Sequence, residues 1–141
     1  MITVRQLAKE ELGQHLDLLW SIDQKCFPRG ISYSKREITD FIEHHGATTL
    51  LAEQAGEAVG FLIAHLGSKG RGHIITIDVL QEYRRSGVGK ALLLAGLGYL
   101  KLRGNTDVEL YVDADHDRAL GLYRSAGFVP AGHDVLYVSS S

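Results

Sequence analysis

The spacing of apolar and polar positions along this chain changes repeatedly, and each change predicts an element. Ile2 to Leu7 reads as a strand, and Gln14 to Gln24 and Lys35 to His44 read as helices. Thr48 to Glu53, Val59 to Leu66 and the β-branched run His73 to Val79 read as strands. Ala91 to Leu102 is apolar at every helical phase, and Gly104 stops it. A strand over Val108 to Val112 precedes a short helix with Ala119, Leu122, Tyr123 and Ala126 at helical spacing, ended by Gly127. Ser34 and Glu37 stand three apart at the start of the second helix, as a capping box requires. Gln54-Ala55-Gly56-Glu57 reads as the turn of a hairpin. Strands and helices in this order imply an α/β (α+β) sandwich around a mixed sheet.

Composition narrows the picture. The chain has 141 residues, 45% hydrophobic, with two prolines, which suits a single domain over residues 1–141. A formal net charge of -2 gives no case for nucleic acid as the main partner. Met1 is followed by a strand and then charge, without the pattern of a signal peptide or membrane span, so no membrane partner is expected. One cysteine, Cys26, cannot form an internal disulfide, and both features point to a cytoplasmic protein.

The densest chemistry lies at Val79 to Lys90, VLQEYRRSGVGK, where a strand passes through a basic pair and a Gly-x-Gly step into a helix. The first N–H groups of a helix have no intrahelical partner and form an anion site. Gly87 and Gly89 allow close approach of backbone to a phosphate, and Arg84, Arg85 and Lys90 add positive charge. A Walker loop would need Ser or Thr after Lys90, where Ala91 stands. A dinucleotide fingerprint would need a third glycine where Leu92 stands. What remains, Arg84-x-x-Gly87-x-Gly89, resembles the R-x-x-G-x-G acetyl-CoA signature of the GNAT superfamily of N-acetyltransferases. Downstream, LYVDADHDRALGLYRSAGF resembles that family's L-x-V-x-x-x-N-x-x-A-x-x-L-Y-x-x-x-G-F, with His116 in place of Asn. The pattern is similar to the ribosomal-protein-alanine acetyltransferase branch. The LYVDAD run and DVLY ending also resemble mycothiol synthases, which carry two such domains in tandem.

The resemblance implies a sheet of about six to seven strands with about four helices on both faces. Its central strands, His73 to Val79 and Val108 to Val112, would splay to admit the pantetheine of acetyl-CoA. By the same resemblance Ile77, Asp78 and Val79 would hold the pantetheine, with an amide near Val79 as oxyanion donor. The pyrophosphate would sit on Arg84, Arg85, Ser86, Gly87, Val88, Gly89 and Lys90, with His116 contributing nearby. Tyr123 occupies the tyrosine position whose phenol protonates the departing thiolate. Phe27, Arg29, Tyr33, Ser34 and Tyr111 are the corresponding acceptor-side candidates. The implied reaction is direct attack of a primary amine on acetyl-CoA in a ternary complex, without a metal.

Three departures bear on mechanism and specificity. Ribosomal-protein-alanine acetyltransferases carry a glutamate base twelve residues before the tyrosine, where this chain has Tyr111, a poor base at neutral pH. Asp78, then Glu109, then His73 are the alternatives, and an α-amine with pKa near 8 could react without a dedicated base. His116 would make cofactor binding pH-sensitive. The surrounding Asp113, Asp115 and Asp117 lack the glycine and distal glutamate of a calcium loop. After Phe128 the family's longer hairpin is reduced, leaving either a short strand pair around Ala131-Gly132 or one bent strand that seeks a partner. The chain is therefore expected as monomer or homodimer. The first-choice acceptor is a protein N-terminus and the second a small-molecule amine. A non-catalytic acyl-CoA-binding module is the rival reading, and a nucleotide-binding fold a weaker one.

Overall fold

A computed structural model describes residues 1–27, 30–111, 117–132 and 135–139. Its strands are β1 (Ile2–Gln6), β2 (Ala47–Gln54), β3 (Glu57–His65), β4 (Arg71–Val79), β5 (Asp107–Tyr111), β6 (Val129–Gly132) and β7 (Val135–Ser139). Its α-helices are α1 (Leu12–Cys26), α2 (Lys35–Glu43), α3 (Val88–Leu102) and α4 (Asp117–Ser125). The strands form one seven-stranded mixed sheet in the order β1-β2-β3-β4-β5-β7-β6. Among the described residues only the β4–β5 pair is parallel, with α3 as the crossover that a parallel connection requires.

The helices cover opposite faces. Leu92, Leu93 and Leu100 of α3 pack with Leu50, Leu62, Ile74, Val108 and Leu110 of the sheet, joined by Tyr123 and Phe128. On the other face Leu19 and Ile22 of α1 and Ile38 and Ile42 of α2 meet Leu51, Phe61 and Ile63. Gly96 lets α3 lie close to the sheet, since a Cβ there would come within 2.9 Å of Leu62 Cδ1. The all-round apolar pattern of α3 does not mean all-round burial, for Leu102 is 85% exposed.

Local chemistry sets the boundaries. Ser34 Oγ accepts from Glu37 N at 3.1 Å and Glu37 Oε1 accepts from Ser34 N at 3.0 Å, closing the expected capping box, a feature worth about 1 kcal/mol. Ala55 and Gly56 both take positive φ, 54° and 79°, as a tight turn between β2 and β3 demands. Of the two expectations for the C-terminus, the strand pair is the one observed: β6 and β7 run antiparallel, and β7 pairs with β5.

Two irregularities open the sheet on one side. First, a β-bulge in the β3–β4 pair lets Thr76 oppose Ile63 while Ile74 opposes Ala64, leaving Ile75 extra. Before the bulge Ile74 faces α3. After it, Thr76 and Asp78 lie opposite Ile63 and Phe61, on the face that α1 and α2 cover. Second, β4 and β5 pair only from Arg71↔Asp107 to Ile74↔Leu110. Beyond Ile74, β4 runs on to Val79 paired with β3 alone, so the sheet opens as a fork.

Candidate active site

The fork leads into a cleft of about 750 Å³. Its β4 wall consists of Ile75, Thr76, Ile77 and Val79, its far wall includes Tyr111, Leu122 and Tyr123, and Arg84, Arg85, Gly87, Gly89 and Lys90 form one end. Cys26, Phe27, Ile31 and Tyr33 form the other side. Residues from the two halves of the sequence therefore share one space.

The β4 wall is polar although, Thr76 apart, its side chains are not. Leu80 N donates to Val59 O on β3 at 2.9 Å, so by strand alternation the N–H and C=O groups of Ile77 and Val79 point away from β3, into the fork. The Val79 carbonyl accepts from Arg84 Nε at 3.0 Å and from Cys26 Sγ at 3.3 Å. Arg84 thus fixes the end of the strand as well as adding charge. The amides of Ile77 and Val79 remain at the unpaired edge, where an extended ligand could add as a strand.

The basic end is built by backbone conformation. Helix α3 begins at Val88, three residues earlier than the apolar pattern implied, with Gly87 as its N-cap at φ 92°. The amides of Val88, Gly89 and Lys90 are consequently the free first turn of the helix. Arg85, although not glycine, takes φ 67°. The Ser86 hydroxyl donates to the Tyr83 carbonyl, which folds the loop back on itself. Val88 is fully buried and offers only its backbone. At Gly89 a Cβ would stand 3.0 Å from Leu122 Cδ2 and 3.7 Å from Val79 Cγ2, so the first turn of α3 lies tight against both cleft walls.

Tyr123 enters from α4, its ring edge-on to Phe128 at 6.1 Å. Burial, with a smaller contribution from Asp78, pushes its phenol up to about 12. The hydroxyl therefore keeps its proton and is a donor across the working pH range. Cys26 is likewise pushed up to about 12 by burial and then by Asp78, and its thiol donates to the Val79 carbonyl. It stays a neutral thiol rather than a nucleophile.

The three candidate bases separate in the structure. His73 and Glu109 are register partners at the closed end of the fork, and Glu109 pairs with Arg71 at 2.9 Å. Neither lines the cleft, because strand pairing there leaves no opening. Asp78 is fully buried beneath α1, one residue from the wall residues Ile77 and Val79. Burial first, then Asp23, raises it well above the usual carboxylate range. Thr76 Oγ1 donates to Asp78 Oδ1 at 2.5 Å, and the Tyr33 amide donates to Asp23 Oδ2 at 2.6 Å.

Of the acceptor-side candidates, Phe27, Tyr33 and Tyr111 line the cleft, Tyr111 being 69% exposed. Ser34 instead caps α2. Arg29 and His116 lie outside the described residues, as do Asp113 and Asp115. Among the described residues no group of three or more His, Cys, Asp or Glu is arranged to hold a metal. No described helix is long and apolar enough to cross a membrane.

Six lining residues escaped the sequence reading as site candidates, Cys26, Ile31, Ile75, Thr76, Gln81 and Leu122, as did the buried Asp23 behind them. A signal for Asp23 exists: Leu19, Ile22, Asp23 and Cys26 repeat at helical spacing, which places a carboxylate inside an apolar stripe. Thr76 and Asp78 similarly interrupt a β-branched strand at positions two apart.

Fork, strand-edge amides and glycine-capped helix together define a class of protein, and comparison with known proteins gives the family. The sequence model of the acetyltransferase (GNAT) family matches residues 15–128, and the chain belongs to that family. It is 42% identical over 93 residues to a mycothiol acetyltransferase of Thermobispora bispora, a match covering 62% of this chain and 32% of that protein. The chain thus spans about a third of the length of that relative. The fold superposes on the ribosomal-protein-S18-alanine N-acetyltransferase of Escherichia coli with TM-score 0.82 at 22% identity, covering 100% of this chain and 95% of the other. It also matches a Thermoplasma acidophilum N-acetyltransferase solved with coenzyme A, with TM-score 0.72 at 21% identity and 99% of each chain covered.

Proposed function

We propose that this chain transfers an acetyl group from acetyl-CoA to a primary amine by direct attack within a ternary complex. The observation that carries the reading is the fork itself, an unpaired strand edge that runs straight into an anion-binding helix N-terminus with a protonated phenol opposite. The Ile77 and Val79 backbone holds the pantetheine as an added strand, and the Val79 amide polarises the thioester oxygen. Amides of Val88, Gly89 and Lys90 hold the pyrophosphate, with Arg85 and Lys90 adding charge. Tyr123 gives its proton to the departing thiolate. Asp78, rather than Glu109 or His73, takes part in removing the amine proton, since it adjoins the cleft. A neutral Cys26 argues for direct attack over an acyl-cysteine intermediate.

The acceptor enters between Phe27, Ile31, Tyr33 and Tyr111, a mostly aromatic and apolar mouth. A protein N-terminus with apolar first residues is our first choice and a small-molecule amine the second. The names of relatives acting on mycothiol and on a ribosomal protein are compatible with both. The test is release of CoA thiol from acetyl-CoA over a panel of N-terminal peptides and amines, beside calorimetric titration with acetyl-CoA. Acetyl-CoA bound without thiol release above hydrolysis on any acceptor would leave an acyl-CoA-binding module instead.

A further inference from the structure

Two fully buried aspartates, one on α1 and one on β4, stand behind the cleft wall. Asp23 is, after burial, the group that raises Asp78 above the usual carboxylate range, and two carboxylates share a hydrogen bond only when one of them holds a proton. Asp23 Oδ2 accepts from the Tyr33 amide and Asp78 Oδ1 from the Thr76 hydroxyl, while Asp23 Oδ1 and Asp78 Oδ2 are buried with no hydrogen-bond partner among the described residues. These are the two oxygens that one shared proton would join. Only Thr76 of the three lines the cleft.

We propose that Thr76, Asp78 and Asp23 form a proton relay that carries the acceptor amine's proton from the cleft to Asp23; the proposal rests on the transferase reading above. The steps balance. The ammonium N–H bond breaks as its proton passes to Thr76 Oγ1, and the Thr76 hydroxyl proton moves to Asp78 Oδ1. The proton on Asp78 Oδ2 then moves to Asp23 Oδ1. The amine ends neutral, Thr76 and Asp78 keep the same proton count, and Asp23 passes from carboxylate to acid. After the product leaves, the shifts reverse and the proton returns through the cleft to water.

The surroundings suit the direction. Burial and the adjoining Asp23 hold a proton on Asp78, and the Tyr33 amide, which donates to Asp23 Oδ2, is placed to stabilise negative charge there. The other titratable and charged groups acting on the pair are Cys26 of α1, Tyr33 after α1, Arg84 after β4 and Tyr123 of α4. Arg84 is the cation among them and opposes the rise in Asp78. Thr76 is the member that meets substrate, and Asp78 and Asp23 act through it.

The relay separates from a structural role by the chemistry of each substitution. In Asp78→Asn the side-chain amide still donates to Asp23 and its oxygen still accepts from Thr76, yet it passes no proton. We expect Asp78→Asn to fold, bind acetyl-CoA within threefold of wild type and lose at least ~100-fold in kcat, the lower end of the range for general acid–base groups. Thr76→Val should lose at least ~10-fold in kcat with the acetyl-CoA KM unchanged, and Thr76→Ser should restore it. Asp23→Asn should match Asp78→Asn. All are measured as thiol release with the best acceptor of the panel. An active wild type with Thr76→Val and Asp78→Asn both within twofold overturns the relay alone. A wild type that turns over no acceptor overturns the transferase reading and the relay with it.

Discussion

The two sides of the fork are built differently. The α3 side presents backbone: Gly87 at positive φ, a tight Gly89, and first-turn amides left free because a helix has to begin there. The α1 side works through side chains, with Phe27, Ile31 and Tyr33 at the mouth and Thr76, Asp78 and Asp23 behind. A backbone cradle is a matter of local spacing and holds a ligand part common to many reactions. A side-chain wall is assembled from distant segments and is where one acceptor can be told from another.

The contrast breaks most severely at Gly89. A valine there meets Leu122 and Val79 and pushes the first turn of α3 out of line. Loss of two charge-assisted amide bonds, each about 1.5–3 kcal/mol, should weaken acetyl-CoA binding by at least ~100-fold in calorimetry. Acceptor-side substitutions such as Tyr111→Ala should leave that affinity within about threefold. If the two affect acetyl-CoA equally, the division of labour is wrong.

Tyr123 belongs to neither side's binding, so its removal should divide kinetics from affinity. Tyr123→Phe retains the ring packed against Phe128 and deletes only the donor. We expect kcat to fall ~100-fold, at the lower end for general acid–base groups, with acetyl-CoA affinity within about threefold. Unchanged kcat would remove the phenol from the reaction.

The same division explains what the sequence made legible. Element order, the Ser34–Glu37 box, the hairpin at Ala55-Gly56 and the cradle at Gly87 to Lys90 are local patterns, and their structural forms follow from bonds within a few residues. The base was harder. Nothing local says that a bulge at Ile75 turns Asp78 under α1, or that Asp23, 55 positions earlier in the chain, acts on it there. Asp78 ranks ahead of Glu109 and His73 in sequence, but nothing there says which of them the fold brings to the cleft. Glu109 and His73 differ because strand pairing closes the fork at Ile74↔Leu110 and leaves them on its shut end. The C-terminal segment could be narrowed only to two arrangements, since which strand it pairs with is a long-range matter.

Asp78 also gives the acceptor side a pH dependence of its own. Its pKa is raised in the folded state by burial and by Asp23, so the unfolded chain loses this proton first. The group's contribution to stability is therefore full below about pH 4, its unfolded value, and is lost as pH rises through the raised folded value. In that window the slope approaches ~1.4 kcal/mol per pH unit for this one group. Urea unfolding should show wild type losing stability as pH rises above about 4, relative to Asp78→Asn, which has no such proton to lose. A difference that stays constant with pH would mean that Asp78 is ionised in the fold.

The smallest effect is expected at Cys26, and it bears on how the two sides cooperate. Its thiol stands on the cleft wall beside the strand edge, where an acyl carrier would be useful. Its protonation state is wrong for that role. With the thiol pushed up to about 12, roughly one molecule in ten thousand is thiolate at pH 8, against about a quarter for an ordinary cysteine. Maleimide labelling of the folded protein should accordingly run ~1,000-fold slower than that of a free cysteine. Cys26→Ala should lower turnover by less than about threefold, because Arg84 still holds the Val79 carbonyl at 3.0 Å. Abolished turnover in Cys26→Ala would instead demand a covalent intermediate, and the acceptor would then meet an acyl-enzyme rather than acetyl-CoA across the fork.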